Sequence, residues 1–188
     1  MRKLIFSMNT TLDGFIAGPN GELDWAIVDE VIHDYYTAQL ESSDVILLGR
    51  GVFEALESYW PTAEENPSLT KSDIAFARAI NSVHKIVFSR TLDYIGWNTR
   101  VVKNNVAEEV SKLKQESGKD LYLTCGPDLL STFIKHGLID EYKLLAFPVA
   151  IGRGKAVFGA IDDMVRLKLL STKVFDSGAV LNHYQPAQ

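Results

Sequence analysis

The sequence predicts a single α/β domain built around a central mixed, mostly parallel β-sheet with flanking helices. Segments with strand-like and helix-like apolar spacing alternate along most of the chain, as they do in α/β proteins. The uninterrupted apolar run Val45-Ile46-Leu47-Leu48 is typical of a strand buried on both faces. The last three strand-like segments have no helix between them, which predicts an antiparallel edge to the sheet.

Apolar spacing and turn residues define the elements of the first half. Trp25, Val28 and Ile32 belong to a series of apolar residues at helical spacing. Gly18-Pro19-Asn20-Gly21 is a turn, because Gly and Asn tolerate positive φ and Pro fixes its own φ. The predicted elements are strands at residues 4–6 and 14–17 joined by a polar link at 9–11, a helix at 23–40, a strand at 45–48, a helix at 52–59 and a loop at 61–69.

The second half continues the alternation and contains no repeat or linker, so one domain spans residues 1–188. Gly118 and Gly137 are placed to end two of its helices. The predicted elements are a helix at 73–81, a strand at 85–89, a turn at 91–99, a helix at 106–116, a strand at 120–124, a helix at 128–136, and strands at 141–149, 167–175 and 179–184.

Composition excludes several classes of protein. With 46% hydrophobic and 23% charged residues, the 188-residue chain is neither disordered nor fibrous. A net charge of −5 without massed basic residues argues against a nucleic-acid partner. The single cysteine, Cys125, excludes an internal disulfide and suits a reducing cytoplasm, and the four histidines lack metal-ligand spacing. No apolar stretch is long enough for a signal sequence or a membrane span, so we expect a soluble cytoplasmic protein that needs no membrane and no metal.

Three predicted strands end in residues suited to binding phosphate. Gly49-Arg50-Gly51 joins a buried strand to a helix, where glycines admit a ligand to free backbone N–H groups. Ser89-Arg90-Thr91 places hydroxyls and a guanidinium after another strand, and Cys125-Gly126-Pro127-Asp128 begins a helix after a third. Each segment taken alone could be ordinary turn chemistry. Three such strand ends in one sheet favour a phosphate-bearing ligand.

Several further segments share an order that is characteristic of one group of proteins. They are Thr11-Leu12-Asp13-Gly14-Phe15-Ile16-Ala17, Gly21-Glu22-Leu23-Asp24-Trp25, Leu47-Leu48-Gly49-Arg50, Val87-Phe88-Ser89-Arg90-Thr91-Leu92, Gly126-Pro127-Asp128-Leu129-Leu130, Gly137-Leu138-Ile139-Asp140-Glu141-Tyr142, and Pro148-Val149 with Gly152-Arg153-Gly154-Lys155. Over nearly the whole chain, this series resembles the dihydrofolate-reductase-like superfamily. It is most similar to the reductase domain of the bifunctional riboflavin-biosynthesis deaminase/reductase and its stand-alone relatives.

The resemblance implies a site for NADPH along the strand ends. The implied cofactor-binding residues are Gly49, Arg50, Gly51 and Val52 at the phosphates, Ser89 and Arg90 at the adenosine 2′-phosphate, Cys125, Gly126, Pro127, Asp128, Leu129 and Leu130 under the pyrophosphate, and Ile16 and Ala17 beside the nicotinamide. Trp25 corresponds to a tryptophan that lines the active site, and Asp13 is a second candidate for substrate binding.

The resemblance also places a carboxylate on the first helix, about five residues after the tryptophan, where Asp29 and Glu30 both lie. Adjacent residues of a helix point about 100° apart, so one of the two can face the cleft. We expect Asp29, because Asp29, Ile32 and Tyr36 would form one edge of the predicted helix. The catalytic candidates are therefore Asp29 and, as the alternative, Glu30.

The resemblance implies an NADPH-dependent reductase that transfers a hydride to a small heterocyclic or sugar-linked substrate. Such an enzyme would resemble the 5-amino-6-(5-phosphoribosylamino)uracil reductase of riboflavin biosynthesis. Two alternatives remain open, a dihydrofolate reductase and a nucleotide-binding module without turnover. The apolar strands at the C-terminal edge predict a homodimer, because a sheet edge must be covered or paired.

Overall fold

The computed structural model describes residues 1–94 and 96–187 of the chain. Its eight-stranded sheet has the strand order β5-β4-β3-β6-β1-β7-β10-β9, and β2 pairs with β8 separately. The strands are β1 Leu4–Thr11, β2 Phe15–Ala17, β3 Val45–Gly49, β4 His84–Phe88, β5 Thr99–Val102, β6 Leu121–Thr124, β7 Glu141–Phe147, β8 Lys155–Ala156, β9 Leu167–Val174 and β10 Val180–Pro186. The helices are α1 Glu30–Glu41, α2 Arg50–Glu57, a 3₁₀ helix Trp60–Glu65, α3 Lys71–Ser82, α4 Val106–Gln115 and α5 Pro127–Lys135. The predicted mixed, mostly parallel sheet with an antiparallel C-terminal edge is confirmed.

The chain divides into two compact units. The first comprises Met1–Arg2 and Val28–Thr124, and the second comprises Lys3–Ile27 and the chain from Cys125 onward. The expectation of a single domain stays a prediction. No helix among residues 1–94 and 96–187 is both long enough and apolar enough to span a membrane.

The first unit holds the parallel strands β5, β4, β3 and β6. All five residues of β3 are buried, as its apolar run predicts. Pairing of Gly49 with Phe88 brings the carboxyl ends of β3 and β4 to the same level. A capping box between Thr70 and Asp73 begins α3, which packs against α1.

A lysine lies in the core of this unit. Lys85 on β4 is 0% exposed, its Nζ donates to the Val83 carbonyl at 2.9 Å, and the ammonium lies 4.2 Å from the centroid of the Trp97 ring. The carbonyl and the face of the indole are the two groups that stabilise its charge. Burial lowers the pKa of Lys85 to about 8.

The second unit holds β1 and β7, which are parallel, followed by the antiparallel strands β10 and β9. Phe133 of α5 is fully buried, and Phe6 of β1 packs edge-on against Tyr142 of β7. Every residue of β9 after Leu167 is exposed, as expected of a strand at the edge of a sheet.

Several predicted boundaries were wrong. The polar link at residues 9–11 belongs to β1, because Asn9, Thr10 and Thr11 pair with the last three residues of β7. The helix predicted at 23–40 begins at Glu30, since Asp29 is its N-cap. The loop predicted at 61–69 contains most of the 3₁₀ helix, β5 begins at the end of the predicted turn at 91–99, and β8 was not predicted.

Candidate functional site

The turn from β3 into α2 has open space beside its backbone and one exposed guanidinium. Gly49 is the N-cap of α2 and brings no side chain to the first-turn amides. A Cβ added at Gly51 would meet nothing within 4 Å, so there is open space beside the helix N-terminus. Arg50 is exposed, and its Nε donates to Oε1 of Glu54 at 2.7 Å. A helix N-terminus of this kind attracts anions.

The turn after β4 is connected to this helix. Nη1 of Arg50 donates to Oγ1 of Thr91 at 2.8 Å, so two of the predicted phosphate-binding segments are brought together. The Ser89 hydroxyl accepts hydrogen bonds from the backbone N–H groups of Thr91 and Leu92 at 3.3 and 3.1 Å. That hydroxyl therefore shapes the turn. Arg90 is exposed, and within the described residues no hydrogen bond or ion pair holds its guanidinium.

In the second unit, β2 carries the residues predicted to lie beside the nicotinamide. Ile16 is half-buried and Ala17 is buried. Ala17 pairs with Lys155 of β8. Gly154 has a φ of +155°, and a Cβ at this position would lie 2.2 Å from the Ala17 carbonyl oxygen. The close approach of the two backbones therefore requires glycine at residue 154.

The start of α5 is the third predicted strand end. Gly126 is the N-cap, Pro127 is the first helical residue, and a Cβ at Gly126 would meet nothing within 4 Å. Cys125 and Leu130 are 1% and 0% exposed, so neither offers its side chain to a ligand. Burial also raises the pKa of the Cys125 thiol, which makes it an inert core residue. Asp128 places a carboxylate in the first turn, where it competes with a phosphate for the helix N-terminus.

The two candidates for substrate binding also lie in the second unit. Trp25 is half-buried, packs edge-on against Phe147 with centroids 5.8 Å apart, and donates from Nε1 to the Glu22 carbonyl at 3.2 Å. The Asp13 carboxylate accepts hydrogen bonds from the backbone N–H groups of Ile151 and Gly152, the latter at 2.8 Å. The Thr11 hydroxyl and these two amides hold the pKa of Asp13 below its usual value. Asp13 is thus a positioning residue for the loop at 151–154, and its contact with substrate stays a prediction.

The two catalytic candidates begin α1. Oδ1 of Asp29 accepts from the Ile32 backbone N–H at 2.8 Å, and the Asp29 carbonyl accepts from His33. The expected helical edge through Asp29, Ile32 and Tyr36 was wrong, because Asp29 precedes the helix. One oxygen of Asp29 is used in capping, and Glu30 is exposed in the first turn. A catalytic role for either residue stays a prediction.

Sequence reasoning missed the loop that Asp13 holds. Asp13 and Gly152 are 139 residues apart, and no periodicity connects them. The sequence feature that could have indicated this loop is the pair of glycines on either side of Arg153. These glycines were part of the resemblance, but no role was assigned to them. Within the described part of the chain, no three His, Cys, Asp or Glu side chains are grouped to hold a metal ion.

The fold, with turns suited to phosphate at the ends of its parallel strands, defines a dihydrofolate-reductase-like α/β protein. The RibD C-terminal domain family matches residues 2–181, and the chain belongs to this reductase-like family. The family indicated by the resemblance is thereby confirmed, and the fold expected of the wider superfamily is observed.

The chain is also similar to individual proteins and solved structures. The "Uncharacterized protein YyaP" of Bacillus subtilis (strain 168) is 40% identical over 179 residues, which cover 95% of this chain and 92% of that protein. RibD of Acinetobacter baumannii has a similar fold, with a TM-score of 0.70 and 17% identity over all of this chain and 58% of that one. Dihydrofolate reductase from Enterococcus faecalis, solved in complex with NADP(H), has a TM-score of 0.64 and 17% identity, covering 99% of this chain and 97% of that one.

Proposed function

We propose that the protein is an NADPH-dependent reductase that acts on a small heterocyclic or sugar-linked substrate. The observation that carries the proposal is the pair of joined strand ends in the first unit. Arg50 spans from α2 to Thr91, and the neighbouring Arg90 has no partner among the described residues. A guanidinium presents a fork of donors that matches phosphate geometry, so this turn is suited to a nucleotide that carries a 2′-phosphate.

Residues in each of the two units fit part of such a cofactor. Open space beside Gly51 and Gly126 leaves two helix N-termini accessible to phosphate groups. Arg90 would pair with the 2′-phosphate, and Ile16 would pack beside the nicotinamide. NADPH would supply the hydride, while the protein supplies binding, orientation and electrostatics.

The proton that accompanies the hydride needs a donor, and Asp29 is our candidate. Its capping bond uses Oδ1, which leaves the second oxygen of the carboxylate for proton transfer. Asp29→Asn and Asp29→Ser both keep a strong N-cap and remove the acid, so stability changes little. Turnover should fall by about 10²–10⁴-fold with unchanged NADPH affinity, whereas Glu30→Gln should have little effect. Full turnover by both Asp29 variants would mean that water delivers the proton.

Titration with NADPH and NADH tests the choice of cofactor. Arg90→Ala should weaken NADPH binding by roughly 1.5–3 kcal/mol and leave NADH binding nearly unchanged, since NADH lacks the 2′-phosphate. Arg78→Ala is a matched control, because Arg78 is also an exposed arginine of the first unit but pairs with Glu64. Equal losses for both nucleotides would show that Arg90 does not bind the 2′-phosphate.

Oxidation of NADPH with candidate substrates then separates the proposal from its alternatives. Oxidation of NADPH in the presence of 7,8-dihydrofolate would favour a dihydrofolate reductase, an interpretation that the fold shared with the Enterococcus faecalis enzyme also allows. Tight NADPH binding without consumption by any pterin, riboflavin precursor or carbonyl compound would favour a nucleotide-binding module. The proposed use of NADPH and the free thiol of Cys125 both suit the cytoplasm.

We also propose that a second copy of the chain covers β9. Leu169, Leu170 and Val174 of this edge strand are 51%, 42% and 69% exposed. An exposed apolar edge with open backbone groups can pair with the same strand of another copy. Sedimentation across micromolar concentrations should give a dimer, and Leu169→Lys should weaken it. A monomeric mass at every concentration would contradict this proposal.

A further inference from the structure

The loop that contains Arg153 is held from both ends. On one side, the Asp13 carboxylate accepts from the backbone N–H groups of Ile151 and Gly152. On the other, Gly154 lies against the Ala17 carbonyl, and β8 follows immediately. The backbone at residue 153 is therefore fixed before any ligand binds.

The residue carried by this fixed backbone is positively charged. Arg153 is exposed, and within residues 1–94 and 96–187 no hydrogen bond or ion pair holds its guanidinium. Hydrogen bonds from Asn20 lower the pKa of Glu22, and the positive charge of Arg153 lowers it further to a smaller extent. Lys155 adds a second exposed positive charge two residues further along.

The loop leads directly to the strand that we assign to the nicotinamide. Lys155 pairs with Ala17 across β2 and β8, and Gly154 touches the backbone of Ala17, so Arg153 lies just beyond the end of β2. The 2′-phosphate and phosphate groups of NADPH are assigned to Arg90, Arg50 and the helix N-termini. Arg153 is thus left for a different anion.

We propose that Arg153 recognises an oxyanion of the substrate, a phosphate or a carboxylate, beside the nicotinamide-binding strand. A guanidinium can donate two parallel hydrogen bonds to either group. Because the backbone is already fixed, binding orders only the Arg153 side chain and loses little backbone entropy. The Glu22 carboxylate is hydrogen-bonded to Asn20 and is not paired with Arg153, so the guanidinium stays available to an anion. That the anion belongs to the substrate rests on the proposed reductase function, whereas oxyanion binding itself does not require turnover.

Calorimetry on the full chain with three related sugars tests the proposal. D-Ribose 5-phosphate and D-ribonate carry a phosphate and a carboxylate, and D-ribose carries neither. At least one of the two anions should bind, and the stronger one identifies the group; D-ribose should not bind measurably. Arg153→Gln should weaken binding of that anion by about tenfold or more, and Arg153→Lys should have an intermediate effect. Arg166→Gln, an exposed arginine of the same unit, should have no effect.

Glu22→Gln gives an effect of the opposite sign. Removing the negative charge of this carboxylate should tighten binding of the same anion by about two- to fivefold. Three results would overturn the proposal: no binding of either anion, equal binding by the parent and Arg153→Gln, or a loss of NADPH affinity in Arg153→Gln. Arg153-dependent binding of an anion by a protein that never oxidises NADPH would instead refute the reductase proposal and leave this anion site in place.

Discussion

Two loops of the molecule position an arginine in different ways. In the first unit, Arg50 is held by its side chain, which bonds to Glu54 and Thr91 at the exposed surface. In the second unit, Arg153 is held by its backbone, between the amides bound to Asp13 and the close contact of Gly154 with Ala17. Side-chain contacts can exchange for a ligand at little cost, whereas a backbone so constrained cannot move. The first loop is therefore adaptable, and the second is preorganised.

The largest effect should come from adding one methyl group to the preorganised loop. Gly154→Ala would put a Cβ against the Ala17 carbonyl at an unfavourable positive φ, and should destabilise the protein by about 2–3 kcal/mol. Gly51→Ala is the matched control in the adaptable loop. Its added Cβ enters open space in a helix, so it should stabilise slightly, by up to about 1 kcal/mol. Urea unfolding of both variants measures the contrast, and equal losses of stability would remove the distinction between the loops.

A smaller effect should come from neutralising the carboxylate that anchors this loop. The folded-state pKa of Asp13 lies below the ordinary value of 3.8, so its charge stabilises the protein above that pH, and the contribution disappears as the pH falls through the lower folded value. Asp13→Asn should therefore lower Tm at neutral pH and converge with the parent in strong acid. Asp24→Asn, an exposed control of the same unit, should follow the parent at every pH. A Tm difference that persists unchanged in strong acid would show that the charge does not anchor the loop.

The smallest effect should follow from changes in the adaptable loop. Glu54→Gln removes an exposed ion pair spaced four residues apart on α2, and such pairs contribute about 0.3–0.5 kcal/mol. Stability should hardly change, but the Arg50 guanidinium loses a neighbouring negative charge that competes with phosphate, so NADPH should bind slightly more tightly. Thermal unfolding and NADPH titration of the same variant check both statements. A drop in Tm as large as that of Gly154→Ala would mean that side-chain contacts hold this loop as firmly as the backbone holds the other.

The predictable parts of the fold are those that local sequence determines. The apolar run of β3 identified a buried strand because the pattern itself requires both faces to be covered. The start of α1 was predictable in principle, since Asp29 is a good N-cap, but apolar spacing from Trp25 onward obscured it. Asn9–Thr11 could not be assigned to β1 from the sequence, because pairing with the distant β7 determines their conformation.

The candidate site likewise contains parts that the sequence predicted and parts that it did not. The turns after β3 and β4 were predicted because glycine and arginine directly follow apolar strands, and parallel pairing brings those turns to one level. The hydrogen bonds by which the Ser89 hydroxyl shapes its turn and the anchoring of residues 151–152 by Asp13 were not predicted. The contacts of Asp13 depend on how a loop that is distant in sequence packs near the end of β1, and local sequence patterns do not determine that packing.

The buried ammonium of Lys85 has a thermodynamic consequence for the whole molecule. Its pKa of about 8 when folded lies below the ordinary value of 10.5 that applies after unfolding. Between these two values the unfolded chain binds a proton that the folded chain has released, so unfolding takes up a proton and stability rises with pH. Below about pH 8 both states are protonated, and the folded protein carries the full penalty of a buried charge, on the order of 3 kcal/mol. Mild alkali should therefore stabilise the folded protein, opposite to the destabilisation that alkali causes when a lysine is engaged in an ion pair.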